Sequence, residues 1–267
     1  MSSKMVDDRV DSCGQVVSAD QTYEPLIRRS ADENLGEGAG EQATSLVRKS
    51  VNKMVACKDR LVAAEASVSL ERSESVTATT QRDLAAEDCR KKLMPLRGSI
   101  TGLFGEDYAR ALGFKGATPD LPQSVYGLCA EIFARLPKAK APAITAAGVA
   151  IDPVALLQPL VEPTEKLRLA LVSSALEQRE TDLAQQEKNK ALAAYDRAFA
   201  VAANLTSTFL EIAGERDLAR RVRPSNRRPG NTVEIAGGEG EVDLPADEPA
   251  PTVPGEAAPT ATDAAVG

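Results

Sequence analysis

The chain has 267 residues, of which 43% are hydrophobic and only 3% are aromatic, and its formal net charge is −7. It contains no histidine, which removes the usual general base near neutral pH, the usual imidazole metal ligand and every Ser-His or Cys-His nucleophile pair. We therefore predict that the protein is not an enzyme and holds no cofactor and no metal ion. The apolar content is mostly Ala, Leu and Val, which favours closely packed helices.

The cysteines and the N-terminal sequence bear on the compartment. Cys13, Cys57, Cys89 and Cys129 are too far apart in the sequence to form a Cys-x-x-Cys element, so we expect buried or half-buried thiols. The N-terminal sequence has no apolar run after Lys4 and does not predict a secretory signal. We expect a cytoplasmic location.

Residues 1–40 are acidic and become glycine-rich towards their end. We predict a flexible N-terminal arm over this range. The stretch GEGAGE at 36–41 has closely spaced glycines, as phosphate loops do. However, no strand precedes it, its acidic residues would repel phosphate and the lysine of a Walker loop is missing. A hinge is the better interpretation.

The segment from about Ala43 to Leu93 has neither Gly nor Pro and is rich in strong helix formers. Apolar side chains recur at spacings of three, four, seven and eight, which is typical of one helix face. They are Val47, Val51, Met54, Leu61, Val68 and Val76. The pattern predicts a rod-like helix over 43–93. Small residues fill the stripe in its second half, which favours close packing of a partner backbone, with a solvated section as the alternative.

Eight of the sixteen prolines lie between positions 95 and 163. Proline removes a backbone donor and clashes with the preceding turn, so we predict that the first rod ends near Pro95. A head of short helices is then expected over about 95–162. It includes an amphipathic helix over 124–137 that is capped by Ser124. Five of the nine aromatic residues lie in this segment, which predicts a compact core.

Residues 141–161 carry a single charge, Asp152. Three prolines, a glycine and this aspartate make a membrane-spanning helix costly. The pattern instead predicts two short core helices, the second of which begins with Asp152 as its N-cap and Pro153 as its first residue. Insertion of this segment into a membrane after a conformational change is the alternative.

After Pro163 the chain has no Gly or Pro until Gly214, and Thr164 is the predicted N-cap of a second rod over about 164–222. Its predicted buried side comprises Leu167, Leu171, Leu176, Leu183, Leu192, Tyr195, Phe199, Ala202, Phe209 and Ala213. Because each rod has a stripe that needs a partner, the rods should run antiparallel. The predicted fold is all-α: an elongated, coiled-coil-like hairpin of two long antiparallel helices with a short-helix head, over residues 41–223, and disordered termini.

The end of the second rod is rich in arginine. The residues are Arg216, Arg220, Arg221, Arg223, Arg227 and Arg228. They could complement the carbonyls at the end of a helix, contact the phosphates of a nucleic acid or bind an acidic protein segment, including the chain's own tail. The first interpretation is favoured, because no aromatic residue is interleaved for base stacking.

The segment 224–267 is predicted to be a disordered tail. It is rich in Pro, Ala and Gly, and from Thr232 onward it has eight acidic residues and no basic ones. Such a composition buries too little apolar surface to order the chain. The rest of the protein is therefore close to neutral.

Together these patterns predict a non-catalytic scaffold, assembly subunit or adaptor that binds a protein partner or a second copy of itself. The reason is that two helices of one hairpin leave part of each apolar face uncovered. One alternative is a membrane-active protein that uses 141–161. Another is a weak anion or nucleic-acid binder that uses the arginines of 216–228. The sequence indicates no small-molecule ligand.

Overall fold

A computed structural model describes residues 3–140, 148, 151–225 and 228–232. Within these ranges the chain is helical and has no strand. The helices are α1 (Lys4–Leu35), α2 (Ala39–Phe104), α3 (Glu106–Leu112), α4 (Pro122–Arg135), α5 (Pro153–Ile212) and α6 (Arg216–Val222).

Helices α2 and α5 pack closely along each other as an antiparallel hairpin. The Thr181 hydroxyl donates to the Glu71 carbonyl at 3.3 Å, and the Lys188 ammonium pairs with the Glu65 carboxylate. Positions of α5 that are buried or half-buried recur every seventh residue: Leu160, Leu167, Ser174, Thr181, Lys188, Tyr195 and Ala202. The predicted all-α hairpin with a head of short helices is confirmed, and at about 1.5 Å per residue α2 alone is about 100 Å long.

The long helices do not stop at their prolines. Helix α2 continues through Pro95, and α5 continues through Pro159 and Pro163, so the predicted break at Pro95 and the predicted start at Thr164 are wrong. Each internal proline costs roughly 3 kcal/mol of helix stability. Leu93, Ile100, Leu160 and Leu167, which are almost fully buried on either side of them, offset that cost.

The start of α5 follows a local signal that the sequence contains. The Asp152 carboxylate accepts a hydrogen bond from the Val154 amide at 2.9 Å, and Pro153 is the first helical residue. The predicted cap is therefore confirmed, although it opens a helix of 60 residues and not a short one. The other short helix predicted within 141–161 falls on 141–150, which apart from Gly148 lies outside the described residues.

Two further boundaries differ from prediction. Helix α4 begins at Pro122, so Ser124 lies inside it and is not its cap. The second rod is divided in two, because α5 ends at Ile212 and α6 follows a turn at Gly214, whose φ is +85°. The predicted tail from residue 233 onward lies outside the described residues.

The prediction of a flexible arm over 1–40 is wrong, since Lys4–Leu35 forms α1. This helix buries Val6, Val16 and Ile27 against α2 and α5. A tight turn with positive φ at Gly36 and Gly38 reverses the chain into α2. The buried face of α1 also holds polar residues, which hides its amphipathic pattern: they are Arg9, Ser12, Asp20 and Ser30.

The buried residues form two apolar clusters at opposite ends of the hairpin. One cluster joins α1, α2, α5 and α6 and reaches Leu61 on α2 and Tyr195 on α5. The other joins α2, α3, α4 and α5 and reaches Ala86 on α2 and Leu167 on α5. Between the clusters lies a middle section, 62–84 of α2 with 172–190 of α5, whose residues belong to neither.

Candidate functional site

The middle section exposes large apolar side chains that the sequence predicts to be buried. Val76 of α2 is 67% exposed, and Leu176 and Leu183 of α5 are 52% and 60% exposed. Smaller residues occupy the contact between the helices instead, among them Ala78, which is buried. The prediction for these three large residues is wrong, because small side chains let the two backbones approach and leave the larger ones outside.

Four of the exposed apolar residues of α5 form an ordered stripe. It consists of Leu169, Val172, Leu176 and Leu183, which are 52–60% exposed. Their spacing of three, four and seven places them on one face of the helix. This spacing is the pattern by which helices pack side by side. We call these four residues the α5 stripe.

The contact between α2 and α5 in this section is partly acidic. One carboxylate oxygen from each of Glu71, Glu74 and Glu177 lies within 4.8 Å of the others. A buried oxygen of Glu71 and one of Glu177 have no hydrogen-bond partner. Burial, together with the charges of Glu180, Glu74 and Glu71, raises the pKa of Glu177.

Among the described residues these carboxylates are the group that could supply oxygen ligands to a hard cation such as Mg²⁺ or Ca²⁺. Glu74 is exposed, however, and clusters of surface carboxylates commonly hold no ion. The physical effect that the geometry supports is repulsion across the α2–α5 contact, which weakens the hairpin in its middle section.

Replacing Glu177 with glutamine is therefore expected to raise the midpoint of thermal unfolding at neutral pH. A carboxyl group whose pKa is raised by folding destabilises the folded state once it ionises. The gain should disappear below the ordinary pKa of glutamic acid, about 4.3, because the wild-type side chain is then also neutral. Calorimetry at several pH values measures both effects.

Glu165 provides a control of opposite sign, because Arg168 lowers its pKa. Its contribution to stability is present above the ordinary pKa and is lost on acidification. Glu165→Gln should therefore give no stabilisation at neutral pH. A Glu177→Gln variant whose unfolding midpoint matches the wild type at every pH would contradict the proposed repulsion.

The described arginines of the predicted group lie on α6 and in the segment directly after it. Arg216 begins α6, whereas Arg220 and Arg221 lie in its last turn, and all three are exposed. Arg223 pairs with Glu211 of α5. The backbone amide of Arg228 donates to the Ser225 hydroxyl at 3.2 Å, and Arg227 lies outside the described ranges.

The chain that follows α6 turns back onto α1 and α5, a contact the sequence does not reveal. Thr232 pairs with Pro224 in an isolated bridge, and its hydroxyl donates to Gln15 at 2.7 Å. Gly230, with a φ of +77°, lies so close to the α5 surface that a Cβ there would come within 2.2 Å of an Asp196 oxygen. The glycine is required by this close approach.

Beneath Gly230 lies a largely buried ion pair between α1 and α5. The Arg9 Nε donates to Asp196 Oδ1 at 2.9 Å, and the Tyr195 hydroxyl donates to the Arg9 carbonyl at 2.7 Å. Burial raises the pKa of Tyr195, so its hydroxyl stays protonated. The group is structural, and no sequence signal for it exists because Arg9 lies 186 and 187 positions before its two partners.

The cysteines are buried or half-buried thiols, as predicted. Cys13, Cys89 and Cys129 are buried, and Cys57 is half-buried. A hydrogen bond with Cys129, together with burial, raises the pKa of Cys89. Burial also raises the pKa of Cys13, so the thiols of Cys13 and Cys89 stay protonated and are poor nucleophiles. The hydrogen bond with Cys89 lowers the pKa of Cys129.

No family model, curated protein or solved structure matches this chain. Nor is any helix of the described ranges long and apolar enough to cross a membrane. The surfaces of the chain itself must therefore support an assignment of function.

Proposed function

We propose that the protein is a non-catalytic helical scaffold that assembles through the α5 stripe. The observation that carries this proposal is the exposure of Leu169, Leu176 and Leu183 at seven-residue spacing. Fully burying a leucine contributes about 1.5–3 kcal/mol relative to full exposure. A helix that covers these four residues, each slightly more than half exposed, would therefore gain a substantial free energy of burial.

The stripe is suited to a helical partner. A partner helix with apolar residues at the same spacing would fill it side by side. A second copy of this chain carries such a helix, and a twofold axis would bring the two stripes together. Arg179 and Glu180 lie one turn beyond Leu176 on α5, and such charges at the edge of a contact select orientation.

The middle section is where a partner has room. The two apolar clusters, to which α1, α3, α4 and α6 contribute, stop on either side of it. In the described structure α5 therefore relies on α2 alone along this stretch. Helices α1 and α6 cover one end of the hairpin, and α3 and α4 cover the other. A partner helix would cover the middle section in the same way.

The first test is the solution mass of the full chain, measured by sedimentation equilibrium over a range of concentrations. A dimer or larger assembly is expected. The double variant Leu176→Gln, Leu183→Gln should dissociate at concentrations at least about tenfold higher, because its stripe loses apolar area. Glutamine keeps high helix propensity, so circular dichroism should be unchanged.

Leu35→Gln is the matched control. Leu35 is 60% exposed, like Leu183, but lies at the end of α1. It should leave the association unchanged. A wild-type chain that stays monomeric throughout, or a double variant that associates as strongly as the wild type, would contradict assembly through the stripe.

A further inference from the structure

A groove separate from the α5 stripe lies between α2 and α5 near the first apolar cluster. It has a volume of about 460 Å³ and is lined by Ser50, Lys53, Cys57 and Arg60 of α2 and by Ala194, Arg197, Ala198 and Val201 of α5. Small-molecule sites typically measure about 300–1,000 Å³. The groove is thus large enough to hold one small molecule.

Small residues on α5 create this space. Arg197 and Val201 lie one turn apart on the groove side, whereas Tyr195 and Phe199, each two positions before them, are fully buried on the opposite side. Between the helices Ala194 and Ala198 contribute only a methyl group each. The floor of the groove is therefore apolar but unfilled.

The rim of the groove is cationic. Lys53, Arg60 and Arg197 are exposed, and no acidic residue is among the described residues that line the groove. The Arg197 Nε donates to the Ala193 carbonyl at 3.1 Å, which anchors the side chain. Its terminal nitrogens have no hydrogen-bond partner in the described part of the chain and can bind a ligand.

These three cations have no carboxylate partner within ion-pair distance among the described residues, whereas two nearby lysines do. Lys58 pairs with Asp59, and Lys190 pairs with Glu187. Three uncompensated positive charges around an apolar floor create a positive potential there. An anion that also carries an apolar group would gain from both features.

We propose that this groove binds a small amphipathic carboxylate, an apolar chain or ring with one carboxylate head. The apolar part would cover Cys57, Ala198 and Val201. The head would lie at the rim, where the planar guanidinium of Arg197 or Arg60 matches a carboxylate in two parallel hydrogen bonds. The proposal is independent of assembly through the α5 stripe, which shares no residue with the groove.

The experiment uses the full chain and dodecanoate as the probe, below the concentration at which it forms micelles. Calorimetry measures the affinity. The rate at which Cys57 is alkylated reports the location, because the other three cysteines are buried. Dodecanoate is expected to bind saturably and to slow the alkylation of Cys57.

Two comparisons test the role of the charges. The double variant Arg60→Ala, Arg197→Ala removes both guanidinium groups that could hold the head. It should bind dodecanoate about tenfold more weakly or worse, since one charge-assisted contact is worth roughly a factor of ten. The control variant Lys91→Ala, Arg110→Ala removes two exposed cations that pair with Glu87 and Glu106 elsewhere on the surface. It should bind like the wild type.

Dodecyltrimethylammonium, with the same chain and the opposite charge, should neither bind nor protect Cys57. The proposal is overturned if this cation binds as well as dodecanoate, or if the double variant keeps the wild-type affinity. It is also overturned if the protein does not bind free dodecanoate but binds phosphatidylglycerol vesicles, since the cations would then contact the anionic surface of a membrane. The sedimentation result for the α5 stripe does not affect any of these outcomes.

Discussion

Replacement of Phe199 with alanine is expected to lower the free energy of unfolding by about 3–5 kcal/mol. Phe199 is fully buried in the cluster that joins α1, α2, α5 and α6, and its ring centroid lies 5.8 Å from that of Tyr195. Removing the ring forfeits its burial and leaves a cavity that the surrounding long helices can close only in part. Urea unfolding followed by circular dichroism measures the loss.

Val201→Ala is the control for this prediction. Val201 lies two residues further along α5 but is 55% exposed, so its truncation should change the free energy of unfolding by no more than about 0.5 kcal/mol. Equal effects of the two substitutions would mean that α1 and α6 do not cover this part of α5.

Replacement of Asp196 with alanine is expected to cost about 3 kcal/mol, because it leaves the buried guanidinium of Arg9 without its carboxylate. The Arg9 side chain is only 8% exposed, so water cannot take over the role of the lost partner. The change should also loosen α1 and the chain around Gly230. Amide hydrogen exchange in α1 is the direct measurement.

A double substitution separates two contributions to this loss of stability: the missing Arg9–Asp196 interaction and the cost of a buried Arg9 charge that has no partner. Arg9→Met combined with Asp196→Leu removes both charges and should recover most of the stability, since well-packed apolar residues often replace a buried pair at little cost. Glu106→Ala breaks the exposed pair with Arg110 and should cost much less stability than the Asp196 change, because water screens an exposed pair. A Glu106 variant as unstable as the Asp196 variant would contradict the importance assigned to burial.

Much of the hairpin could be predicted from local signals. The absence of Gly and Pro over 43–93 and the spacing of Val47, Val51, Met54, Leu61 and Val68 correctly indicate the buried face of the first half of α2. The Asp152-Pro153 pair marks the start of α5 because an aspartate cap and a proline at the first helical position are both local signals. These features depend on propensity, periodicity and capping, which act within a few turns of one helix.

The largest errors of the sequence-based prediction concern contacts between elements. Pro95 and Pro163 are helix breakers by local rules, but the head packs against both sides of each, and burial outweighs the lost hydrogen bond. Helix α1 was missed because Arg9 belongs on its buried face only once Asp196 is opposite it. A local pattern cannot show that Arg9 and Asp196 become neighbours, because only the packing of α1 against α5 brings them together.

The two surfaces proposed for function also depend partly on local sequence patterns and partly on the packing of the helices. The sequence by itself determined that the protein would be helical, that two long helices would pair, and that they would carry more apolar surface than one pair can bury. Only the tertiary structure decided which leucines stay outside, because small residues such as Ala78 and Ala184 took the contact positions of the middle section. It also decided which cations stay unpaired around Cys57, because a cation's partner depends on which helices become neighbours and not on its position in the chain.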